Sequence, residues 1–289
     1  LIVEENIDVI SVQDQYYLAL IGLKLSKKFK LGLEIQVHGF EKYGGMRKFI
    51  AKYVLPRANS VRVVSQRLKR RLTEEFKVRE ERIMVVPIFV ERVTHAGAGQ
   101  VHNVERITHN DSKFVFLTVG RLAQVKNIGM QIEAMAKIIG MKGFASINKD
   151  VELWIIGEGE ERKKLEVRSK KLGIKERVKF FGWQDDLEKF YNQTDVFLLT
   201  SRSEGWPLVI LEAANYGLPI IMTDVGSAGE LIINNESGVV IPVNDEVKLK
   251  EVMINLIKNY ELRKKIGEGA SRAVNNLPGK EQILELYKK

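Results

Sequence analysis

The chain has 289 residues and a mass of 33.0 kDa, which fits one large or two ordinary domains with a sizeable core. Apolar residues make up 45% and charged residues 29%, as in globular proteins, and the absence of cysteine excludes disulfide scaffolds, thiolate zinc sites and cysteine nucleophiles. No apolar run approaches the roughly 20 residues of a membrane-spanning helix. We therefore expect a cytoplasmic protein.

The net charge of +9 is concentrated near the start of the chain. Residues 1–107 hold 19 Lys and Arg against 12 Asp and Glu, a net +7, and the remainder only +2. The basic clusters at 24–30 and 67–71 suit an anionic membrane surface, with the protein peripheral at its inner face. Solvated helix faces are the alternative. Neither aromatic interleaving nor a recognition motif accompanies the clusters, so we expect no nucleic-acid partner.

The first part of the chain alternates short apolar runs with amphipathic stretches. Strands are predicted at 9–12, 33–37, 61–64 and 83–86, and helices at 16–25, 46–55 and 66–76, the last with Ser65 as N-cap. Four strands are few for a doubly wound domain, so we expect two or three further β/α units before Leu1. This partial domain is assigned to residues 1–95, and a linker to 96–112.

Residues 113–275 show six further β/α units, which predict a second doubly wound, Rossmann-like parallel sheet. The predicted strands are 114–119, 151–156, 178–181, 196–199, 219–222 and 239–243, and the predicted helices are 127–139, 160–172, 187–191, 207–216 and 247–259. Pro207 is expected at a first helical position and Gly217 at a helix end. A terminal helix within 276–289 is expected to pack back on the first domain. Ligands of such sheets bind beyond the carboxyl ends of the strands, here in a cleft between two domains.

Two loops that follow predicted strands are suited to a nucleotide. Arg121 and Lys126 lie between a strand end and a helix start, where two cations and free N–H groups would hold a diphosphate, unless they are ordinary surface cations. In Gly157-Glu158-Gly159 the third glycine of a dinucleotide fingerprint is missing. A tight turn is favoured there, with Gly157 allowing close backbone approach to a ligand.

Carboxylates and one histidine are the other candidates for binding and chemistry. Glu204 lies in a loop and Glu212 in the following helix, and carboxylates accept paired hydrogen bonds from the vicinal hydroxyls of a sugar or ribose. The alternative is that neither carboxylate binds a ligand: Glu204 would then only favour the helix dipole, and Glu212 would be a solvated helix residue. His38 follows the end of a predicted strand. It is either a residue of the functional site or merely a polar strand end. Histidines 95, 102 and 109 lack a neighbouring carboxylate pattern, so no metal site is expected.

Taken together, these loops resemble the retaining nucleotide-sugar glycosyltransferases of the GT-B fold, family 4. That fold has two Rossmann-like doubly wound parallel-sheet domains facing across a cleft, of which the N-terminal one is incomplete here. The resemblance is strongest over about 114–243 and looser over 1–90. It is carried by Val119-Gly120-Arg121-Leu122 with Lys126-Asn127, Ile156-Gly157-Glu158-Gly159, Phe181-Gly182-Trp183, Ser203-Glu204-Gly205-Trp206-Pro207 through Glu212-Ala213, Gly217-Leu218-Pro219, Thr223-Asp224-Val225-Gly226, Glu230-Leu231-Ile232 and Val37-His38-Gly39.

The resemblance implies a role for each candidate residue. Arg121 and Lys126 match the cations on the donor diphosphate, and Glu212 matches the acceptor of the ribose hydroxyls. Glu204, with the backbone of Gly205, Trp206 and Pro207, matches the contacts to the transferred sugar. Trp183 matches the edge of the base pocket, and His38 matches the histidine near the reaction centre. The resemblance thus predicts His38 and Glu204 as the catalytic residues.

These roles imply transfer of a sugar from a UDP- or GDP-linked donor to a glycan or lipid-linked acceptor, with retention of configuration. Fixed cations and helix N–H groups replace the divalent ion that other transferases need, so we expect neither metal nor cofactor. The family's first strand and its glycine-rich acceptor loop have no match here. A catalytically incomplete donor-binding fragment and a GT-B sugar-nucleotide epimerase therefore remain alternatives.

Overall fold

The computed structural model describes residues 7–39, 44–88, 113–143 and 150–288. The chain forms two compact units. One holds Leu1–Phe89, Ser203–Trp206 and Pro278–Lys289, and the other holds Val90–Arg202 and Pro207–Leu277. The linker predicted at 96–112 lies outside the described residues, and the predicted domain limits stay a prediction.

The N-terminal unit contains a four-stranded parallel sheet in the order β1-β2-β3-β4. Its elements are β1 (Val9–Val12), α1 (Tyr17–Phe29), β2 (Gly32–Val37), α2 (Gly45–Val54), β3 (Ser60–Val63), α3 (Gln66–Phe76), β4 (Ile83–Val85) and, near the chain end, α10 (Lys280–Lys288). The predicted cap of α3 is confirmed, because the Ser65 hydroxyl accepts from the Leu68 N–H at 3.1 Å. All four predicted strands of this unit form.

The C-terminal unit contains six parallel strands in the order β10-β9-β8-β5-β6-β7. Its elements are β5 (Lys113–Val119), α4 (Ile128–Ile139), β6 (Asp150–Ile156), α5 (Arg162–Lys171), β7 (Val178–Gly182), α6 (Glu188–Tyr191), β8 (Val196–Leu199), α7 (Leu208–Asn215), β9 (Ile220–Thr223), β10 (Val239–Ile241), α8 (Glu246–Lys258) and α9 (Tyr260–Asn275). Numbered within the unit, the order is 3-2-1-4-5-6, that of a doubly wound nucleotide-binding sheet. The predicted fold class, two parallel-sheet α/β units, is confirmed.

The core of the C-terminal unit explains why its strands are near-continuous apolar runs. Phe114, Phe116 and Leu153 of the central strands are fully buried, as are Val196 and Leu198 of β8. The core is closed by the apolar faces of α4 and α8, which pack against each other. A parallel strand covered on both faces has no solvent side on which to place polar residues.

Two details at helix ends differ from the sequence expectation. Pro207 is not the first helical residue: its ψ of 114° is extended, and its carbonyl accepts from the Ile210 N–H at 3.1 Å, so it is the N-cap of α7. The helix α9 was not predicted. It begins directly after α8, because Asn259 ends α8 and its side chain caps α9 by accepting from the Leu262 N–H. Gly217 does follow α7 with a left-handed φ of 62°, as predicted.

Candidate functional site

The topology of the C-terminal sheet indicates where a ligand site is expected. β5 and β8 are neighbours in the sheet, but from β5 the chain continues to β6 on one side and from β8 to β9 on the other. The loops that leave these two strands diverge, and the crevice between them is the usual ligand site of open α/β sheets. Arg121 and Lys126 follow β5, and Arg202 follows β8.

The loop between β5 and α4 carries the two predicted cations. Arg121 is exposed and Lys126 is half-buried in a short 3-10 turn, Gln124–Lys126. Asn127 then adopts a left-handed φ of 51° and starts the twelve-residue helix α4. Lys126 therefore lies beside the positive end of a long helix, and Arg121 lies earlier on the same loop, an arrangement that suits a diphosphate.

Side chains that follow β8 hold this loop in place. The Thr200 hydroxyl lies 3.2 Å from the carbonyl oxygens of both Lys126 and Asn127, and it accepts from the Gln131 amide at 2.8 Å. Arg202 donates to the Gln124 carbonyl at 3.2 Å and to the Asn127 side-chain oxygen at 3.2 Å.

Arg202 also donates to the Asn244 side-chain oxygen at 3.0 Å, so one guanidinium joins the loops after β5, β8 and β10. We did not identify Arg202 or Asn244 from the sequence. Asn244 has a left-handed φ of 63°, and no local pattern marks its contact with Arg202.

Glycines form a tightly packed layer at the same edge of the sheet. Gly157 has a φ of 125°, and its N–H donates to the Gly182 carbonyl at 2.7 Å. A Cβ at Gly157 would overlap the Gly120 carbonyl of the neighbouring loop. The structure therefore gives Gly157 a packing role between loops, and its predicted contact with the donor stays a prediction.

The indole of Trp183 lies on the surface just beyond β7. It is 73% exposed, and its Nε1 donates to the Asp185 carboxylate at 3.0 Å. An exposed aromatic ring held by a hydrogen bond offers a flat surface for a base, and the position of Trp183 at the edge of a base pocket stays a prediction.

Glu212 lies in α7, whose N-terminus follows β8. Its Oε2 accepts a hydrogen bond from the Tyr191 hydroxyl at 2.7 Å. The Tyr191 ring is buried and stacks on Tyr216 with centroids 4.9 Å apart. Burial, reinforced by the Glu212 carboxylate, raises the pKa of Tyr191 well above its usual value, so the phenol remains a donor.

The remaining predicted residues, except Pro207, belong to the N-terminal unit. His38 is exposed and lines a pocket of about 370 Å³ together with Gln15, Tyr16 and Arg47. The Tyr16 hydroxyl is buried and has no hydrogen-bond partner within the geometric limits among the described residues, and the neighbouring Gln15 amide donates to the Gly39 carbonyl at 2.7 Å. Burial raises the pKa of Tyr16.

The segment Ser203–Trp206 lies within the N-terminal unit. A Cβ at Gly205 would overlap the His38 carbonyl, which brings the predicted sugar-binding loop and the predicted catalytic histidine together. Glu204 is half-buried, and the buried Trp206 indole N–H has no hydrogen-bond partner among the described residues.

The described ranges contain neither a metal-binding cluster nor a membrane-spanning helix. There, no three carboxylate or histidine side chains are grouped so that they could hold a metal ion. Histidines 95, 102 and 109 lie outside these ranges. Within the same residues, every helix is too short or too polar to span a bilayer.

Comparison with known proteins places this chain in a family. Residues 102–273 match the family model of group 1 glycosyl transferases, and residues 1–92 match that of glycosyltransferase family 4. The lipopolysaccharide core biosynthesis glycosyltransferase LpsE of Rhizobium meliloti is 29% identical over 66% of this chain and 54% of its own length. The chain thus spans about half of that relative.

Two further comparisons extend this likeness. The UDP-Gal:alpha-D-GlcNAc-diphosphoundecaprenol alpha-1,3-galactosyltransferase of Escherichia coli is 35% identical over 46% of this chain and 34% of its own. The crystal structure of Anabaena HepE in complex with UDP-glucose superposes with a TM-score of 0.79 at 20% identity, covering 97% of this chain and 78% of that one. Because the group 1 family model alone matches more than half of the residues of this chain, the chain belongs to the group 1 glycosyltransferases of the GT-B fold.

Proposed function

We propose that this chain transfers a sugar from a UDP- or GDP-linked donor to a glycan or lipid-linked acceptor, with retention of configuration and without a metal ion. One observation carries the proposal. Arg121 and Lys126 lie on the loop between β5 and the N-terminus of α4, at the topological switch point of a doubly wound sheet. This arrangement supplies fixed positive charge where a diphosphate leaving group would gain negative charge.

The other residues complete the proposed donor site. Glu212 accepts from the ribose hydroxyls, and Trp183 borders the base. Glu204 and the backbone of 205–207 bind the transferred sugar, and His38 reaches that sugar near its reacting carbon. The proposal is supported by the exposed Trp183 ring, by the Glu212 carboxylate in α7 and by the packing of Gly205 against His38.

The proposed reaction breaks the bond between the sugar C1 and the diphosphate oxygen. C1 develops oxocarbenium character while the diphosphate gains negative charge, which Arg121, Lys126 and the free N–H groups of α4 stabilise. The acceptor hydroxyl attacks C1 from the face that the diphosphate leaves. Its proton passes to a phosphate oxygen of the leaving group, so the configuration at C1 is retained.

The relatives support a nucleotide-sugar donor and a glycan or lipid-linked acceptor. HepE has been crystallised with UDP-glucose, and the name of the Escherichia coli relative gives a UDP-sugar donor and a diphospholipid acceptor. LpsE is named for the lipopolysaccharide core. UDP is therefore the nucleotide to test first.

An anionic membrane surface is the second proposed partner, supported by α1 and α2 of the N-terminal unit. Together these neighbouring helices carry six Lys and Arg and no Asp or Glu. They also expose large apolar side chains: Tyr17, Leu18, Ile21, Met46, Phe49 and Tyr53. Apolar groups flanked by cations suit the interface of an anionic bilayer.

The second basic cluster, in α3, is different. Its Arg71 pairs with Glu75 at 2.9 Å, and Lys69 pairs with Glu80 at 3.1 Å, whereas in α2 Lys48 approaches Glu75 only at 3.9 Å. These carboxylates offset part of the charge that the sequence alone suggested. The proposed membrane-binding face is therefore α1 and α2.

Calorimetric titration with UDP, GDP and ADP, with and without EDTA, tests the donor site. We expect one nucleotide to bind at micromolar to sub-millimolar concentration regardless of EDTA, and Arg121→Ala to weaken that binding by about tenfold or more. Lys170→Ala, which removes a cation at the end of α5, is the matched control. If Arg121→Ala and Glu212→Gln both bind the nucleotide as well as the wild type does, the site assignment fails.

Sedimentation with vesicles tests the membrane surface. We expect binding to vesicles rich in phosphatidylglycerol but not to neutral phosphatidylcholine. The triple variant Lys24→Gln, Lys27→Gln, Lys28→Gln should no longer bind the vesicles rich in phosphatidylglycerol. The control removes equal charge from α5, at Lys163, Lys170 and Lys171. Equal binding to neutral and anionic vesicles would contradict an electrostatic surface.

A further inference from the structure

Tyr191 makes a contact with the proposed ribose-binding carboxylate that no sequence motif identified. The tyrosine ends α6, is 2% exposed, and donates from its hydroxyl to Glu212 Oε2 at 2.7 Å. The two residues come from different β/α units of the C-terminal sheet. Their contact therefore depends on the fold and not on local sequence.

The position of the Tyr191 ring is fixed from two sides. It stacks on Tyr216, at the end of α7, with an interplanar angle of 21° and centroids 4.9 Å apart. It also packs against Phe197 of β8 at 6.2 Å between centroids. A ring held by aromatic neighbours on a strand and a helix has little freedom to move its hydroxyl.

The hydrogen bond assigns different tasks to the two oxygens of Glu212. A carboxylate has about four lone-pair sites, and Oε2 uses at least one of them for Tyr191. Within the described part of the chain, no group donates to Oε1. The half-buried Glu212 is thus held by one oxygen while the other remains available as an acceptor.

We propose that Tyr191 is a positioning residue for the donor: it fixes the Glu212 side chain so that Oε1 accepts from the ribose hydroxyls. The inference rests on the proposed function, because it takes Glu212 as the ribose-binding residue. Tyr191 itself does not touch the donor. Its effect reaches the nucleotide only through Glu212.

Tyr191→Phe tests this, because it removes only the hydroxyl and keeps the stacked ring. The probes are UDP and 2′,3′-dideoxy-UDP, which lacks the ribose diol. We expect Tyr191→Phe to weaken UDP binding by about three- to tenfold and to leave the affinity for the dideoxy analogue unchanged. A general loosening of the structure would weaken both. Tyr260→Phe, which removes a hydroxyl elsewhere in the same unit, is the matched control.

A double-mutant cycle with Glu212→Gln separates the ribose-binding role of Glu212 from the positioning role of Tyr191. If Glu212→Gln binds UDP as well as the wild type does, the proposed function of Glu212 fails. If Glu212→Gln weakens UDP binding but Tyr191→Phe does not, or if Tyr191→Phe weakens both nucleotides equally, the positioning role is wrong. In the Glu212→Gln background, Tyr191→Phe should add little.

A second variant keeps the test decisive if Tyr191→Phe does not fold. Glu212→Asp shortens the carboxylate by one methylene and leaves Tyr191 intact. It cannot reach both the Tyr191 hydroxyl and the ribose, so UDP binding should again fall while dideoxy-UDP binding does not. Wild-type affinity of Glu212→Asp for UDP would overturn the inference.

Discussion

At the scale of single residues, Gly157 has two independent reasons to be glycine. Its φ of 125° is unfavourable for other residues, and a Cβ would overlap the Gly120 carbonyl. We expect Gly157→Ala to lower the free energy of unfolding by about 3 kcal/mol or more, because backbone atoms of the neighbouring loop must move. Urea unfolding of the purified variant measures this.

Gly173 is a control that separates the effect of a positive φ from the effect of a steric overlap. It also has a positive φ, of 72°, but among the described residues no atom beyond Gly173 and its two chain neighbours lies within 4 Å of a Cβ built there. Gly173→Ala should lower the free energy of unfolding by only about 1 kcal/mol, because it adds the strain of a positive φ without a steric overlap. Equal losses in the two variants would mean that the Gly120 carbonyl moves away at little cost, and that the packing role of Gly157 is wrong.

The raised pKa of Tyr191 makes stability depend on alkaline pH. Burial and the Glu212 carboxylate hold the folded-state pKa above the ordinary value of 10.0. Above about pH 10 the unfolded chain loses this proton while the native protein keeps it, so stability falls as pH rises. The wild type should therefore lose about 1.4 kcal/mol per pH unit more than Tyr191→Phe does.

Urea unfolding of both proteins between pH 8 and pH 11 checks this. Tyr16, whose pKa is also raised by burial, is present in both and cancels in the difference. Parallel pH profiles for wild type and Tyr191→Phe would show that Tyr191 titrates alike in the folded and unfolded states.

At the scale of elements, Arg202 shows how one side chain orders three loops. It donates to Gln124, Asn127 and Asn244, so removal of its side chain loosens the loop that carries Lys126, which Thr200 still contacts. We expect Arg202→Ala to weaken UDP binding by about three- to tenfold, because the loop must then be ordered at the moment of binding. Calorimetric titration measures the affinity.

Because Arg202 is exposed, the same variant should change the free energy of unfolding by less than about 1 kcal/mol. Arg202→Lys keeps the charge but not the planar fork that makes several hydrogen bonds at once, so it should bind nearly as weakly as the alanine variant. Full affinity in the lysine variant would mean that charge, and not loop order, is what Arg202 supplies.

Periodicity predicted the strands and most helices, because strands covered on both faces and amphipathic helices leave distinct patterns. It missed α9 for a physical reason. Arg263, inside α9, is buried, and its guanidinium donates to the carbonyls of Leu256 and Ile257 at the end of α8. A charged residue that caps a neighbouring helix looks like a solvated position in the sequence, so the helical pattern is obscured.

At the scale of the whole molecule, the strand order is what the sequence leaves open. Motif order placed Arg121 and Lys126 after one strand and Glu212 after another, and the adjacency of β5 and β8 brings those loops to one switch point. The pairs Arg202–Asn244 and Tyr191–Glu212 join residues 42 and 21 positions apart. Such contacts follow from packing, and a single sequence holds no local signal for them.

The two units should respond differently to UDP. If the donor diphosphate and ribose bind within the C-terminal unit, UDP stabilises that unit against opening by about 2.7 kcal/mol at one hundred times its Kd, and by about 1.4 kcal/mol more for each further tenfold. Hydrogen exchange followed by mass spectrometry resolves the two sheets. Protection should rise in β5, β6 and β8 and change little in β2 and β3, provided that the units open separately. At a fixed, saturating UDP concentration, Glu212→Gln should reduce the gain by about 1.4 kcal/mol for each tenfold loss of affinity. Equal added protection in both sheets would contradict separate opening, and a gain that does not grow with UDP concentration would contradict a specific site.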